Sequence, residues 1–496
     1  MDGRTQEASL ADLGLTGQGG AEARITGLSV DSRQVRPGDL FAALPGTKIH
    51  GATFAETALE RGAVALLTDS EGARVAAPAL AGSDAVLIVT EDPREALAYA
   101  AALWFGQQPD VVVAVTGTNG KTSVASFARQ IWMAMGLSAV NVGTTGIEGS
   151  WEAPLAHTTP EPITLHRMLS GAAEAGVTHA AMEASSHGLS QRRLDGVRLA
   201  AAGFTNFSQD HLDYHATFDE YFDAKASLFT RVLDEDGIAV IHMDDEKGPL
   251  LEAMADGIGQ EVIRVGRGAE CHLRIAGLRF DPTGQDLRFV WNETVRQVRL
   301  PLIGGFQSEN VLVAAGLCIA GGSDPAEVFN ALPQLRGVRG RMQLAATRES
   351  GAPVYVDYAH TPDALATALQ ALRPHVMGRL ICVFGAGGDR DRGKRPLMGA
   401  AVAEHADVAI VTDDNPRSED AALIRSAILA SCPGGIEVGD RAEAILRGVD
   451  ALQPGDALLI AGKGHESGQT VGDTVYPFDD VEQASVAVAA LDGQVS

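Results

Sequence analysis

The sequence predicts an α/β protein of three domains, residues 1–108, 109–343 and 344–496. Three observations predict it. The β-branched run Val111–Val115 breaks into a glycine loop and then a helical pattern, the signature of a strand–loop–helix unit. Beyond about residue 344, apolar runs of strand length alternate with helical patterns, which implies a parallel sheet with helices on both faces. A chain of 496 residues is also too long for one core.

The first 108 residues read as a small α/β domain. Short strands are predicted at Ile25–Arg33, Gly38–Gly46, Ala63–Leu67 and Ala85–Val89. A helix is expected after Asp92-Pro93, with Asp as N-cap and Pro at the first helical position. Ser32, Arg33 and Lys48 fall in loops, where a solvated side chain is the plainer reading than a ligand contact. Trp104–Pro109 reads as a linker.

Residues 109–343 read as a P-loop ATPase-type domain with a mixed sheet. In Thr116-Gly-Thr-Asn-Gly-Lys-Thr-Ser123, Gly117 and Gly120 let backbone N–H groups face an anion. The following helix N-terminus adds partial positive charge. Lys121 can reach outer phosphates, and the Thr122 hydroxyl can hold Mg²⁺. The loop is shorter than the common form: two residues separate its glycines, and Val115 stands at the usual first Gly. Glu183 ends a strand beside the loop strand, a position suited to Mg²⁺ or to capping a helix. His211 and His215 could grip Zn²⁺ at i,i+4. With a phosphate loop present and neither a HExxH motif nor a nearby Cys, Mg²⁺ ligation by one His fits better. Lys225 is expected to be buried among Tyr221, Phe222 and Phe229. Burial favours a neutral amine able to take up CO₂ as a carbamate; the plain alternative is a snorkelling lysine. An antiparallel meander is expected over 260–300, then a helix from Asn310, which either faces a base or ribose or caps that helix.

Residues 344–496 read as Rossmann-like. Strands end at Asp357, Phe384, Thr412 and Ala461, each followed by a polar or Gly-rich loop, and such loops share the carboxyl edge where ligands bind. Arg390, Arg392, Lys394 and Arg395 suggest an anionic ligand. Arg390, Arg417 and Glu466 could together hold a molecule carrying a carboxylate and an amine.

Composition limits the function classes. A net charge of −25 argues against nonspecific binding to nucleic acid or anionic membrane. No stretch is apolar enough to span a bilayer or act as a signal peptide, so no membrane insertion and a cytoplasmic location are expected. Cys271, Cys318, Cys382 and Cys432 form no CxxC pair and suit a reducing compartment.

Thr116–Thr122, Glu183-Ala-Ser-Ser-His187, Asp210-His-Leu-Asp-Tyr-His215 and Asp357-Tyr-Ala-His360 together resemble the Mur ligases, ATP-dependent amide-forming enzymes of peptidoglycan synthesis. The shortened glycine loop is the form that family uses. Asp414-Asn-Pro-Arg417 with Gly462-Lys-Gly-His-Glu466 is similar to the branch that adds meso-diaminopimelate to UDP-MurNAc-L-Ala-D-Glu. The resemblance spans all three domains and implies UDP-MurNAc binding by the first, ATP binding by the second and amino-acid binding by the third. It further implies that Gly117, Thr118, Asn119, Gly120, Lys121, Thr122 and Ser123 bind ATP phosphates. Thr122 and Glu183 would hold one Mg²⁺, with His211 and Lys225, as N6-carboxylysine, at a second. By the same likeness Asn310, Arg341 and Asp357 contact adenine, phosphate and ribose. Val30, Ser32, Thr47, Lys48 and Ile49 match the uridine-nucleotide loops. His157, Thr158, Thr159, Ser185, Gln191 and Arg193 match the muramoyl-peptide contacts, His157 standing where some relatives have Asn. Arg390, Asp414, Asn415, Pro416, Arg417, Gly462 and Glu466 match the diaminopimelate pocket. A monomer is expected.

The implied chemistry is phosphorylation of a carboxylate by ATP, then attack of a neutral amine on the acyl phosphate. Rival readings are an L-lysine-adding or other Mur ligase, a folylpolyglutamate-type ligase and, in a different class, a P-loop kinase or NTPase switch.

Overall fold

The computed structural model describes residues 7–46, 48–155, 157–208, 214–215 and 217–493. Thr47 and His211 therefore lie outside the described residues. The chain is α/β throughout and divides into two compact units, residues 1–264 with 313–325, and residues 265–312 with 326–496.

The first unit holds a small four-stranded sheet, strands of a larger one, and the short pair Ala8–Ser9 with Arg24–Ile25. Gly27–Ser29, Asp39–Ala42, Ala65–Thr68 and Val86–Val89 form a four-stranded parallel sheet in chain order. Its strands are short, apolar runs, buried from end to end at Asp39–Ala42 and Ala65–Thr68. The expected helix follows as Pro93–Phe105. Asp92 caps it, its Oδ1 accepting from the N–H groups of Arg94 and Glu95, an interaction of about 1 kcal/mol.

Six adjacent strands of the larger, ten-stranded sheet stand in the order Ile238–His242, Ala201–Phe204, Val111–Thr116, His179–Glu183, Ala139–Gly143, Gly146–Gly149. All neighbours are parallel except the last pair. Val111–Thr116 is central and buried on both faces, which is why it carries no alternation. Its register sets Glu183 beside Val115 and Phe204 beside Thr116, so the loops after three adjacent strands leave one edge together.

In the second unit the expected meander appears as Leu273–Asp281, Gly284–Trp291 and Thr294–Leu300. The helix predicted from Asn310 instead runs Phe306–Ala320, so Asn310 lies inside it and is no cap. Its Nδ2 donates to Gln307 Oε1 (3.2 Å). The last sheet has the order Gln343–Thr347, Pro353–Asp357, Ala457–Ala461, Leu380–Phe384, Val408–Val411, Ile436–Glu437. It is parallel apart from Gln343–Thr347, an antiparallel edge strand the sequence reading missed. A hairpin, Gly468–Val471 with Thr474–Pro477, was also missed. Apolar layers cover both faces of this sheet.

Candidate active site

The predicted residues fall into two sets, one on each unit.

On the first unit the glycine loop runs from Gly117 (φ 147°) to Gly120 (φ 89°), and Lys121–Ala134 is the helix after it. A Cβ at Gly117 would stand 1.9 Å from Thr205 Oγ1, so only glycine fits. Asn206 holds the loop from the next strand: its carbonyl accepts from Thr118 N–H (2.8 Å) and its Oδ1 from Asn119 N–H (2.9 Å). The ammonium of Lys121 curls back onto the carbonyls of Gly117 (2.8 Å) and Thr118 (2.9 Å). Ser123 is buried in the first helical turn.

Lys225 is buried, as expected, on the helix Phe218–Ser227. Its Nζ donates to Gly117 carbonyl oxygen (2.8 Å) and lies 4.5 Å from the Tyr221 ring centre. A residue more than a hundred positions away thus reaches the same loop.

Glu183 is buried at its strand end. One carboxylate oxygen accepts from Thr144 N–H (2.7 Å), the other from Thr122 Oγ1 (3.0 Å). A hydroxyl and a carboxylate side by side at a phosphate-type loop are the hard oxygen donors Mg²⁺ takes, so the chemistry of this set fits the ion. Around it Thr144 Oγ1 meets Thr158 Oγ1 (3.0 Å), and Thr159 Oγ1 donates to Glu183 carbonyl oxygen (2.9 Å). Ser185 caps a short helix through Gly188 N–H, and Arg193 Nη1 donates to Thr159 carbonyl oxygen (2.6 Å) while its fork holds Gln191. Thr158, Thr159, Ser185, Gln191 and Arg193 are therefore one connected cluster; His157 is exposed in the loop ahead of it.

Val30–Ser32 and Lys48–Ile49 follow neighbouring parallel strands and leave the same edge of the small sheet. Ser32 is buried, whereas Lys48 and Ile49 are exposed, Ile49 at 58%.

On the second unit, Asp357 ends its strand and accepts from the N–H groups of Met342 (2.7 Å) and Ala359 (2.8 Å). Burial pushes its carboxyl up, opposed by the nearby Arg341 charge. Arg341 stacks over the Tyr358 ring (4.6 Å), and His465 lies against the same ring (5.1 Å). Burial, with Arg341 and Arg339 adding to it, holds the His465 imidazole down to about 4, so it is neutral near pH 7.

The loops after Phe384, Val411 and Ala461 meet at the carboxyl edge, as expected of parallel strands. Asn415 Nδ2 donates to Glu466 Oε2 (3.0 Å), and Arg417 Nη1 donates to Gly388 carbonyl oxygen (2.8 Å). Arg417 sits at φ 51°, a left-handed conformation costly for a side chain-bearing residue and typical of functional loops. A Cβ at Gly462 would stand 2.5 Å from Asp414 Oδ2. Burial raises the Glu466 carboxyl, with Asn415 opposing. The four-cation run does not act as one group. Arg395 is buried on Glu419 (2.8 Å), Arg392 pairs with the same carboxylate (3.2 Å), and Lys394 donates to His360 carbonyl oxygen (3.0 Å). Arg390 is exposed, as Arg392 is, and its Nη1 donates to Asp389 carbonyl oxygen (3.1 Å). Two residues were missed. Lys463 is fully buried between Asn415 and Gly468. Arg441 is buried on Asp480 beneath the same loops. Only the glycines flanking Lys463 hinted at a constrained position.

Three Mur ligase family models match in chain order: the family's catalytic domain at residues 24–104, its middle domain at 115–318 and its glutamate ligase domain at 340–464. A UDP-N-acetylmuramoyl-L-alanyl-D-glutamate--2,6-diaminopimelate ligase of Caulobacter vibrioides is 51% identical over 475 residues, covering 94% of this chain and 96% of that one. The chain belongs to the Mur ligase family. A Brucella melitensis ligase of the same name is 50% identical over 95% of both chains. A solved structure of a ligase of that name superposes with TM-score 0.69 at 35% identity, covering 94% of this chain and 95% of its own. This Mur ligase is thus an enzyme of the amide-forming kind. Among the described residues no helix is long and apolar enough to cross a membrane.

Proposed function

We propose that this chain joins meso-diaminopimelate to UDP-MurNAc-L-Ala-D-Glu, driven by ATP, in peptidoglycan synthesis. The observation that carries this reading is the amino-acid pocket of the second unit. Glu466, bonded to Asn415, offers a carboxylate to an ammonium group, and Arg417 and Arg390 stand in the adjoining loops with charge for a carboxylate. Diaminopimelate carries both groups at its far end; L-lysine carries only the amine. The names of the relatives at 51% and 50% identity support the same choice.

A carboxylate is a poor acylating agent, and its phosphorylation by ATP makes it a good one. The loop amides of Gly117–Gly120 and the Lys121 ammonium would bind the phosphates and offset charge on the moving phosphoryl group. Thr122 and Glu183 would hold a Mg²⁺ ion, with His211 and a carbamylated Lys225 (N6-carboxylysine) at a second. When bound, Mg²⁺ supplies further charge neutralisation at the phosphates. Asn310, Arg341 and Asp357 would contact the nucleoside and its phosphate. Val30, Ser32 and Thr47–Ile49 would contact the uridine nucleotide, and the Thr158–Thr159–Ser185–Gln191–Arg193 cluster the muramoyl peptide. The amine attacks in its neutral form, forms a tetrahedral intermediate and releases phosphate as the amide forms. We place the enzyme in the cytoplasm, as a monomer.

Phosphate release from ATP and UDP-MurNAc-L-Ala-D-Glu is expected with meso-diaminopimelate and not with L-lysine. Release with lysine would keep the ligase and refute the role of Arg417; release with neither would reopen the kinase and switch readings. Arg390→Ala is expected to raise the KM for diaminopimelate about tenfold or more, the scale of a lost charge-assisted hydrogen bond. The KM for ATP should not move, and equal losses in both would count against the pocket.

A further inference from the structure

We infer that Lys463 is a positioning residue that fixes which way the Asn415 carboxamide faces, and so prepares Glu466 and Asn415 for the incoming amino acid. The inference rests on the amino-acid pocket proposed above.

Lys463 has no exposed surface, yet it carries an ammonium group. Such burial is rare without a purpose. Its Nζ donates to Asn415 Oδ1 (2.9 Å) and to Gly468 carbonyl oxygen (2.7 Å), and lies 3.9 Å from Glu466 Oε2. Thr470 N–H donates to the same Asn415 Oδ1 (2.9 Å). Two donors therefore converge on one face of the carboxamide, and only its oxygen can satisfy them. The NH₂ group is left to face Glu466, to which it donates at 3.0 Å. A flipped amide would aim NH₂ at an ammonium and a backbone N–H, and its oxygen at a carboxylate. Every contact would then be repulsive.

The consequence reaches the ligand. Asn415 occupies Glu466 Oε2, so the carboxylate is held in one orientation while retaining acceptor capacity for an ammonium group. Lys463 also sets a positive charge 3.9 Å from this carboxylate, which opposes the rise that burial imposes on it. Lys463 need not touch the substrate to do this. It also ties Gly468, and so the start of the Gly468–Pro477 hairpin, to the pocket floor. The Asp414–Arg417 loop is locked from that side too: Arg417 N–H donates to Thr470 carbonyl oxygen (3.1 Å), and Gln469 Nε2 to Asp414 carbonyl oxygen (2.6 Å).

The test is steady-state phosphate release by full-length wild type, Lys463→Met, Lys463→Gln, Asn415→Ala and Lys463→Met/Asn415→Ala. The amino acid used is whichever one supports turnover by the wild type. Lys463→Met is expected to raise the KM for that amino acid by about 10- to 100-fold, the scale of an unsatisfied buried polar group. The KM values for ATP and for the uridine nucleotide should stay within about twofold. Lys463→Gln, which keeps a donor without the charge, should fall between wild type and Met. In the Asn415→Ala background the Met change should add less than about threefold, because the group it acts through is gone. Independent, multiplicative effects in the double variant, or a rise in all three KM values together, would overturn the inference in favour of a general structural role. If Lys463→Met does not fold, the Gln variant alone decides: an unchanged amino-acid KM overturns the inference. If the wild type turns over with no amino acid, the pocket reading fails, and this inference fails with it.

Discussion

Lys121→Ala is expected to cut kcat by about 10³-fold while the melting temperature of the chain stays unchanged. The size follows from where charge develops. Phosphoryl transfer to a carboxylate spreads negative charge over the moving group, and catalysis rests on groups that meet that charge in place. Lys121 is the only lysine or arginine in the Thr116–Ser123 stretch, at the first position of its helix, and it adds a full charge to the partial charge of the helix N-terminus. Its bonds to Gly117 and Thr118 close back on its own loop, and Asn206 and Thr205 hold that loop independently. Stability and activity should therefore separate. The measurement is phosphate release at saturating ATP beside a thermal melt of the same preparation. A kcat within tenfold of wild type would sink the assignment of Lys121 to the transferred phosphoryl group.

This part of the site was legible because its signals are local. The apolar run Val111–Val115, the two glycines and the Lys-Thr pair lie within thirteen residues, and each acts through backbone geometry that neighbours in sequence dictate. Asp92-Pro93 was legible for the same reason: capping is a contact over two or three positions. The strand ends at Glu183, Asp357, Phe384 and Ala461 were legible through a rule of parallel sheets, which gathers loops at one edge whatever their sequence separation; the end expected at Thr412 falls one residue earlier, at Val411.

What the sequence concealed depends on partners far along the chain. The cluster Arg390, Arg392, Lys394 and Arg395 looked like one anion site. Glu419, more than twenty residues on, takes two of the four, and nothing near the cluster announces it. The burial of Lys463 carries no local signal, because Asn415 and Gly468 create it. The helix containing Asn310 begins four residues earlier than expected, because the glycines at 304 and 305 end the loop there instead of extending it. The Gly468–Pro477 hairpin did carry a signal, Gly472-Asp473 between Val471 and Val475, a turn pair between β-branched residues.

Arg441→Met is expected to cost about 3–5 kcal/mol of stability. Arg441 and Asp480 are both fully buried, and the guanidinium meets the carboxylate with two bonds, Nε to Oδ1 (2.8 Å) and Nη2 to Oδ2 (2.6 Å). Removing one partner strands a buried carboxylate, and that penalty exceeds the modest net worth of the pair itself. The same guanidinium donates to Ala461 carbonyl oxygen (3.0 Å) and Asp413 carbonyl oxygen (3.4 Å). It therefore ties together the ends of the two strands whose loops carry Gly462–Glu466 and Asp414–Arg417. Lost stability should thus come with a raised amino-acid KM, since the floor of the pocket loosens with it. Urea unfolding of Arg441→Met, Asp480→Leu and the double variant separates the causes. If the stranded charge is the source, the double variant recovers most of the loss, because an apolar pair can replace a buried ion pair nearly without cost. If the carbonyl contacts dominate, the double variant stays as unstable as Arg441→Met. A single-variant loss below about 1 kcal/mol would show that water reaches Asp480 and that the pair is not sealed in the core.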